Sequence, residues 1–152
     1  MNYSYLFQYL DVPDDIITIV DPFCRYGDTT KIVPPCVPHI IERYDIYPKV
    51  SWTKKQDTLL FPPSYENKYI LTHAPAKEIN EFHDGVLFDI YQLTHKYKCF
   101  IKNLITNICL GGIIALPAHF WFSMSKSDIE LRNEFQNVYK VKQINFFRDL
   151  KD

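Results

Sequence analysis

The run Ile16 to Val20 (IITIV) is continuous, apolar and rich in β-branched side chains, the pattern of a strand covered on both faces. Such a strand belongs inside a parallel sheet, and a parallel sheet needs crossover connections and cover on each side. The chain supplies further runs of the same kind. His39 to Tyr44, ending at Asp45, is a second strand; Ser51 to Thr53, with Asp57 after it, is a short third; Tyr69 to Thr72 is a fourth. Ile113 to Leu116, stopped by Pro117, is a fifth, and Val138 to Phe147 (VYKVKQINFF) alternates in part and is expected to close the sheet, leaving an exposed edge strand.

Helical periodicity lies between these runs. Phe82, Val86, Ile90, Leu93, Tyr97, Phe100, Leu104 and Ile108 recur at steps of three or four, which predicts one long core-facing helix ending near a left-handed cap at Gly111-Gly112. Ser127-Asp128-Ile129-Glu130 fits a capping box, so a further helix should run to about Asn137. Pro34, Pro35 and Pro38 bar a long regular helix after the first strand. The series predicts an α/β, Rossmann-like fold: a largely parallel sheet with helices on both faces, one domain over residues 1–152.

Charge and cysteine usage narrow the function classes. Lys and Arg number 17 against 18 Asp and Glu, so no net basic field drives nucleic-acid binding. Lys54-Lys55 and Lys96–Lys98 read as solvated faces. Cys24, Cys36, Cys99 and Cys109 have no CxxC spacing and no His pair at ligand spacing, so free thiols in a reducing cytosol are expected and a zinc site is not. Met1-Asn2-Tyr3-Ser4 lacks the basic start and apolar run of a secretory leader, and the nearly uncharged stretch from Asn103 to Met124 is interrupted by Gly111-Gly112 and Pro117. A cytoplasmic protein without a membrane span is expected.

In an open parallel sheet, ligands bind outside the carboxyl ends of the strands. Those positions are Asp21-Pro22-Phe23-Cys24-Arg25-Tyr26-Gly27 after the first strand, Asp45 after the second, Asp57 after the third and His73-Ala74-Pro75-Ala76 after the fourth. An acid after the second strand can accept both hydroxyls of a ribose, and one after the third can accept an exocyclic adenine amine. His119 and His83-Asp84 have no nucleophile at a recognisable spacing, so a hydrolytic triad has no support. Phe120, Trp121 and Phe122 after Pro117 are expected in the core.

These pieces, in this order, resemble a class I S-adenosylmethionine-dependent methyltransferase, most of all the amino-methyltransferases that modify adenine N6 in DNA. DPFCRYGDTT at Asp21 to Thr30 is similar to that family's first loop, ERYDIYPK and KKQDTLL place its two acids on Asp45 and Asp57, and THAPAK places its acceptor motif on His73 to Ala76. GGIIALPAHFWFS, followed by ELRNEF, resembles later segments, so the likeness spans roughly residues 15 to 148. It implies S-adenosylmethionine as cofactor, held by Asp21, Pro22, Phe23, Gly27, Asp45 and Asp57, with His73 and Pro75 at the target amine.

The chain departs from the family's pattern at two places. Arg25 and Tyr26 stand where the first loop has a glycine and a small residue, and Ala74 and Ala76 replace the proline and the stacking aromatic of the acceptor motif. A methyltransferase-fold protein with impaired chemistry, a pseudoenzyme, is therefore expected, acting by binding a protein or nucleic-acid partner. Two alternatives stand beside it: an active adenine-N6 DNA or RNA methyltransferase, and a small-molecule methyltransferase. No separate target-recognition region is expected, so nucleic-acid contact is expected to need a partner subunit or self-association.

Overall fold

The apolar runs assemble into one five-stranded sheet in a computed structural model of the chain, which describes residues 4–7, 9–27, 29–33 and 39–147. The strands are β1 (Thr18–Asp21), β2 (Ile40–Asp45), β3 (Lys54–Lys55), β4 (Tyr69–His73) and β5 (Gly111–Ala115). All pairings are parallel and the spatial order is β3-β2-β1-β4-β5. The expected α/β, Rossmann-like sheet is present. The third strand falls one residue beyond Ser51 to Thr53, and the fifth begins earlier than Ile113, taking in both glycines.

The period of two assigns each side chain to a face. Ile19, Tyr69, Leu71 and Ile113 point to one side, where they meet Phe7, Val12 and Ile16. Val20 and Ile70 point to the other, where they meet Leu87 of α1 (Gly85–Tyr91), Tyr97, Phe100, Ile101 and Leu104 of α2 (Lys96–Thr106), Phe120 of α3 (His119–Phe122) and Leu131 of α4 (Lys126–Val138). The α-helices thus cover one face. The opposite face is covered by the N-terminal segment with two single-turn 3-10 helices, Ser4–Phe7 and Thr29–Ile32. Ile19, Val20, Ile70 and Leu71 are fully buried, and each contributes about 1.5–3 kcal/mol by that burial.

The long helix expected from Phe82 to Ile108 is two helices. Gln92 takes φ 53, a left-handed conformation that ends α1, with its N–H donating to Phe88 O. Residues 94–96 then bond to the segment before α1: Ile79 N donates to Thr94 O and Lys96 N to Lys77 O, around a bridge between Glu78 and His95. Those bonds divert the backbone between the helices. The apolar spacing therefore splits: Tyr97, Phe100 and Leu104 are buried, whereas Phe82, Val86, Ile90 and Ile108 are exposed.

Gly111-Gly112 is strand, not a helix cap; α2 ends at Thr106, with Asn107 N–H donating to Asn103 O. Gly112 is needed there because a Cβ would stand 2.7 Å from Ile70 O of the adjacent strand. The last helix begins earlier than Ser127: Ser125 is its N-cap and accepts from Asp128 N at 3.3 Å. It runs through Val138, and residues 139–147 form no strand, which corrects the closing strand expected at Val138 to Phe147. Tyr139 is held instead by its hydroxyl, which donates to Leu104 O at 2.7 Å and accepts from Cys109 N at 3.1 Å. Cys24 and Cys99 are buried free thiols and Cys109 is a partly buried one; Cys36, Pro34, Pro35 and Pro38 lie outside the described residues.

Candidate functional site

The strand order reverses direction between β1 and β4, so the crevice that such sheets use opens at the carboxyl ends of these strands and their neighbour β2. Asp21, at the end of β1, is fully buried. One of its oxygens accepts from Thr72 Oγ1 at 2.7 Å and from Phe23 N at 3.2 Å, and the other accepts from Thr29 Oγ1. Burial raises its pKa, against the pull of those hydrogen bonds. The carboxylate thus ties β1 to β4 and to the turn after β1, and its bonds all lie within the chain.

The loop after β1 is tightly wound. Gly27 has φ 78, which suits glycine, and its N–H donates to Cys24 O at 2.7 Å. Arg25 has φ 50, a left-handed conformation at a side chain that bears a Cβ. The backbone therefore takes a glycine-like course at Arg25, where the resembled loop has a glycine. Arg25 N donates to Asp45 Oδ2 at 2.9 Å, and Tyr47 N donates to Asp45 Oδ1 at 2.7 Å. Asp45 thus clamps the β1 loop to the turn after β2. A carboxylate has about four lone-pair sites, so two remain for a ligand.

Pro22 and Phe23 pack inward. Pro22 O accepts from Thr58 Oγ1 at 3.0 Å, and the Phe23 ring stands edge-on to Phe100 with centroids 4.9 Å apart. Asp57 accepts from Leu59 N and Leu60 N at 3.1 and 3.3 Å, holding the turn that brings Thr58 to Pro22. At the end of β4, burial and the Arg25 charge lower the His73 pKa to about 4, so its imidazole is neutral at pH 7. Ala74 is fully buried and its N–H donates to Ala115 O at 3.1 Å, whereas Pro75 is partly exposed.

The structure brings Arg25, Asp45 and His73 to one edge, and sets Asp21 and Phe23 beneath it. Beside Asp45 opens a cleft of about 330 Å³ lined by Arg25, Tyr26, Asp45, Tyr47 and Lys49. Tyr47 and Lys49 are the residues that motif reading passed over. Their signal is the Asp45-to-Tyr47 hydrogen bond, which turns the chain so that both border the acid.

Elsewhere, Tyr97 Oη and His119 Nε2 are 3.0 Å apart, with His95 packed against both rings. No group of three or more His, Cys, Asp or Glu able to hold a metal occurs among the described residues, and none of their helices is long and apolar enough to cross a membrane. Phe120 is core, as expected, while Phe122 is exposed. Compared with protein-family models, curated proteins and solved structures, the chain matches none.

The cleft can be tested against the cofactor that the motif resemblance implies. Asp45 and the two tyrosines suit a nucleoside: a carboxylate for a diol and aromatic faces for a base. Arg25 and Lys49 set like charge beside the sulfonium and the ammonium, and of the methionine half only the carboxylate suits them. The nucleoside half fits and the sulfonium does not.

Proposed function

We propose that the chain is a methyltransferase-fold protein, related to the adenine-N6 amino-methyltransferases, in which methyl transfer is impaired and the retained carboxyl edge serves to bind a protein or nucleic-acid partner. The observation that carries this reading is Arg25, whose left-handed backbone is bonded to Asp45 while its charge acts on His73. It links the two places where donor and target amine meet in the resembled enzymes. Two like charges about 6 Å apart at an effective dielectric of about 20 repel by roughly 3 kcal/mol. A cationic methyl donor loses on that scale beside an arginine. The acceptor motif supports the same reading, because Ala76 has no ring to stack on a base. Exposed Tyr26, Tyr47 and Trp52 offer contact area for a partner on the same side.

A second reading has one observation in its favour. His73 is neutral at pH 7 and sits at the strand end, so it can accept a hydrogen bond from an amine, with Pro75 two residues on. That would suit an active enzyme with an altered pocket. Incubation of the purified chain with methyl-labelled S-adenosylmethionine and unmethylated DNA separates the two. The first reading expects no label above a protein-free control, and label incorporated into adenine would establish the second.

A further inference from the structure

We propose that the cleft beside Asp45 takes a nucleoside phosphate and selects it over the sulfonium nucleoside. This rests on the reading of the carboxyl edge as a nucleoside cradle, and it adds the ligand's charge and the groups that recognise it. Lys49 borders the cleft and makes no ion pair with any of the described residues. Arg25 borders it from the opposite loop. A guanidinium and an ammonium on one small cleft match a phosphate group, the arginine by its forked donors and the lysine as a mobile point charge.

The loop backbone points the same way. Glycine-rich phosphate cradles present several free N–H groups, but here Arg25 N is given to Asp45 and Gly27 N to Cys24 O. Recognition of an anion therefore falls to the side chains. Asp45 opposes an anion placed directly against it, which puts the phosphate on the Arg25 and Lys49 side and leaves the acid for the ribose diol. Tyr26 and Tyr47, 57% and 69% exposed, offer ring faces for the base. Arg25 also keeps a left-handed backbone at φ 50, the kind of local cost that structures retain where a side chain has a task.

The test is calorimetric titration of the full chain with adenosine, AMP and S-adenosylmethionine at low salt, with thermal melts to show each variant folded. AMP should bind about tenfold or more tightly than adenosine, as expected of charge-assisted bonds. S-adenosylmethionine should bind more weakly than either. Lys49→Ala and Arg25→Gln should each lower AMP affinity more than adenosine affinity and so bring the two values together, and Asp45→Asn should weaken both. Equal affinities for adenosine and AMP, or tighter binding of the sulfonium compound, would overturn the phosphate assignment and leave the nucleoside cradle standing. A folded chain that binds neither adenosine nor AMP would overturn the cradle as well.

Discussion

A histidine at the end of a buried strand, with an arginine's charge nearby, resists protonation for two separate reasons. Burial is the larger for His73 and Arg25 the smaller, and together they bring the pKa from 6.5 to about 4. Between those values the unfolded chain binds a proton that the folded chain does not. Stability therefore rises with pH across this window and is lost as the solution is acidified from 6.5 toward 4. The His73 contribution at pH 5 should be roughly 2 kcal/mol below that at pH 7. Urea unfolding at the two pH values should show the loss, and His73→Gln should remove most of it; an unchanged pH slope in the variant would place the effect elsewhere. At this scale the sequence was only partly readable. That Arg25 stands where the resembled loop has a glycine is visible in the residues, but its left-handed backbone is not. Nothing local to Asp21 distinguishes a ligand contact from the internal bonds it makes with Thr29 and Thr72, because Thr72 arrives from a strand far along the chain.

A buried charged contact joins α2 to α4 inside apolar packing. Lys98 Nζ of α2 lies 2.6 Å from Asp128 Oδ1 of α4, with the two side chains 9% and 5% exposed. Burial alone would raise the Asp128 pKa; the hydrogen bonds from Lys98, Ser123 and Ser125 outweigh it and hold the carboxyl near 2. Its stabilisation is present above the unfolded value of 3.8 and lost as pH falls through about 2, a window below that of His73. Lys98→Met should leave a buried, uncompensated carboxylate and cost about 3–5 kcal/mol in urea unfolding, much of it regained when Asp128→Leu is added. Full cost in the double variant would contradict a paired role. Gly112→Ala should be destabilising by about 1–3 kcal/mol because Ile70 O, which is backbone, cannot easily withdraw. Strand positions were legible because β-branched runs are local signals. The break at Gln92 was not, since the bonds that hold 94–96 to residues 77–79 are made between segments and leave the apolar spacing of three and four intact. The segment from Val138 shows the same limit: its alternation suits a strand, but α4 claims Val138 and the Tyr139 hydroxyl anchors the exit to α2.

On the scale of the whole molecule, sheet order decides which residues can act together. The order β3-β2-β1-β4-β5 gathers Asp45, the β1 loop and His73 at one edge, although they are spread over some fifty residues of sequence. The acids and the acceptor position were readable as residues that follow strands. The cleft was not, because its cations and tyrosines come from two loops, which the Asp45 clamp helps to join. The reading that this edge keeps the frame of a nucleoside cradle while Arg25 stands in the donor pocket is tested by the affinity of S-adenosylmethionine for the native chain and for Arg25→Gly, in which Tyr26 keeps its ring face for the base. Little or no binding to the native chain and a clear gain, about tenfold or more, in the variant are expected, the size that follows when roughly 1.4 kcal/mol or more of charge repulsion is removed. Tight binding to the native chain that Arg25→Gly loses would mean that the arginine holds the cofactor itself, and would overturn the reading.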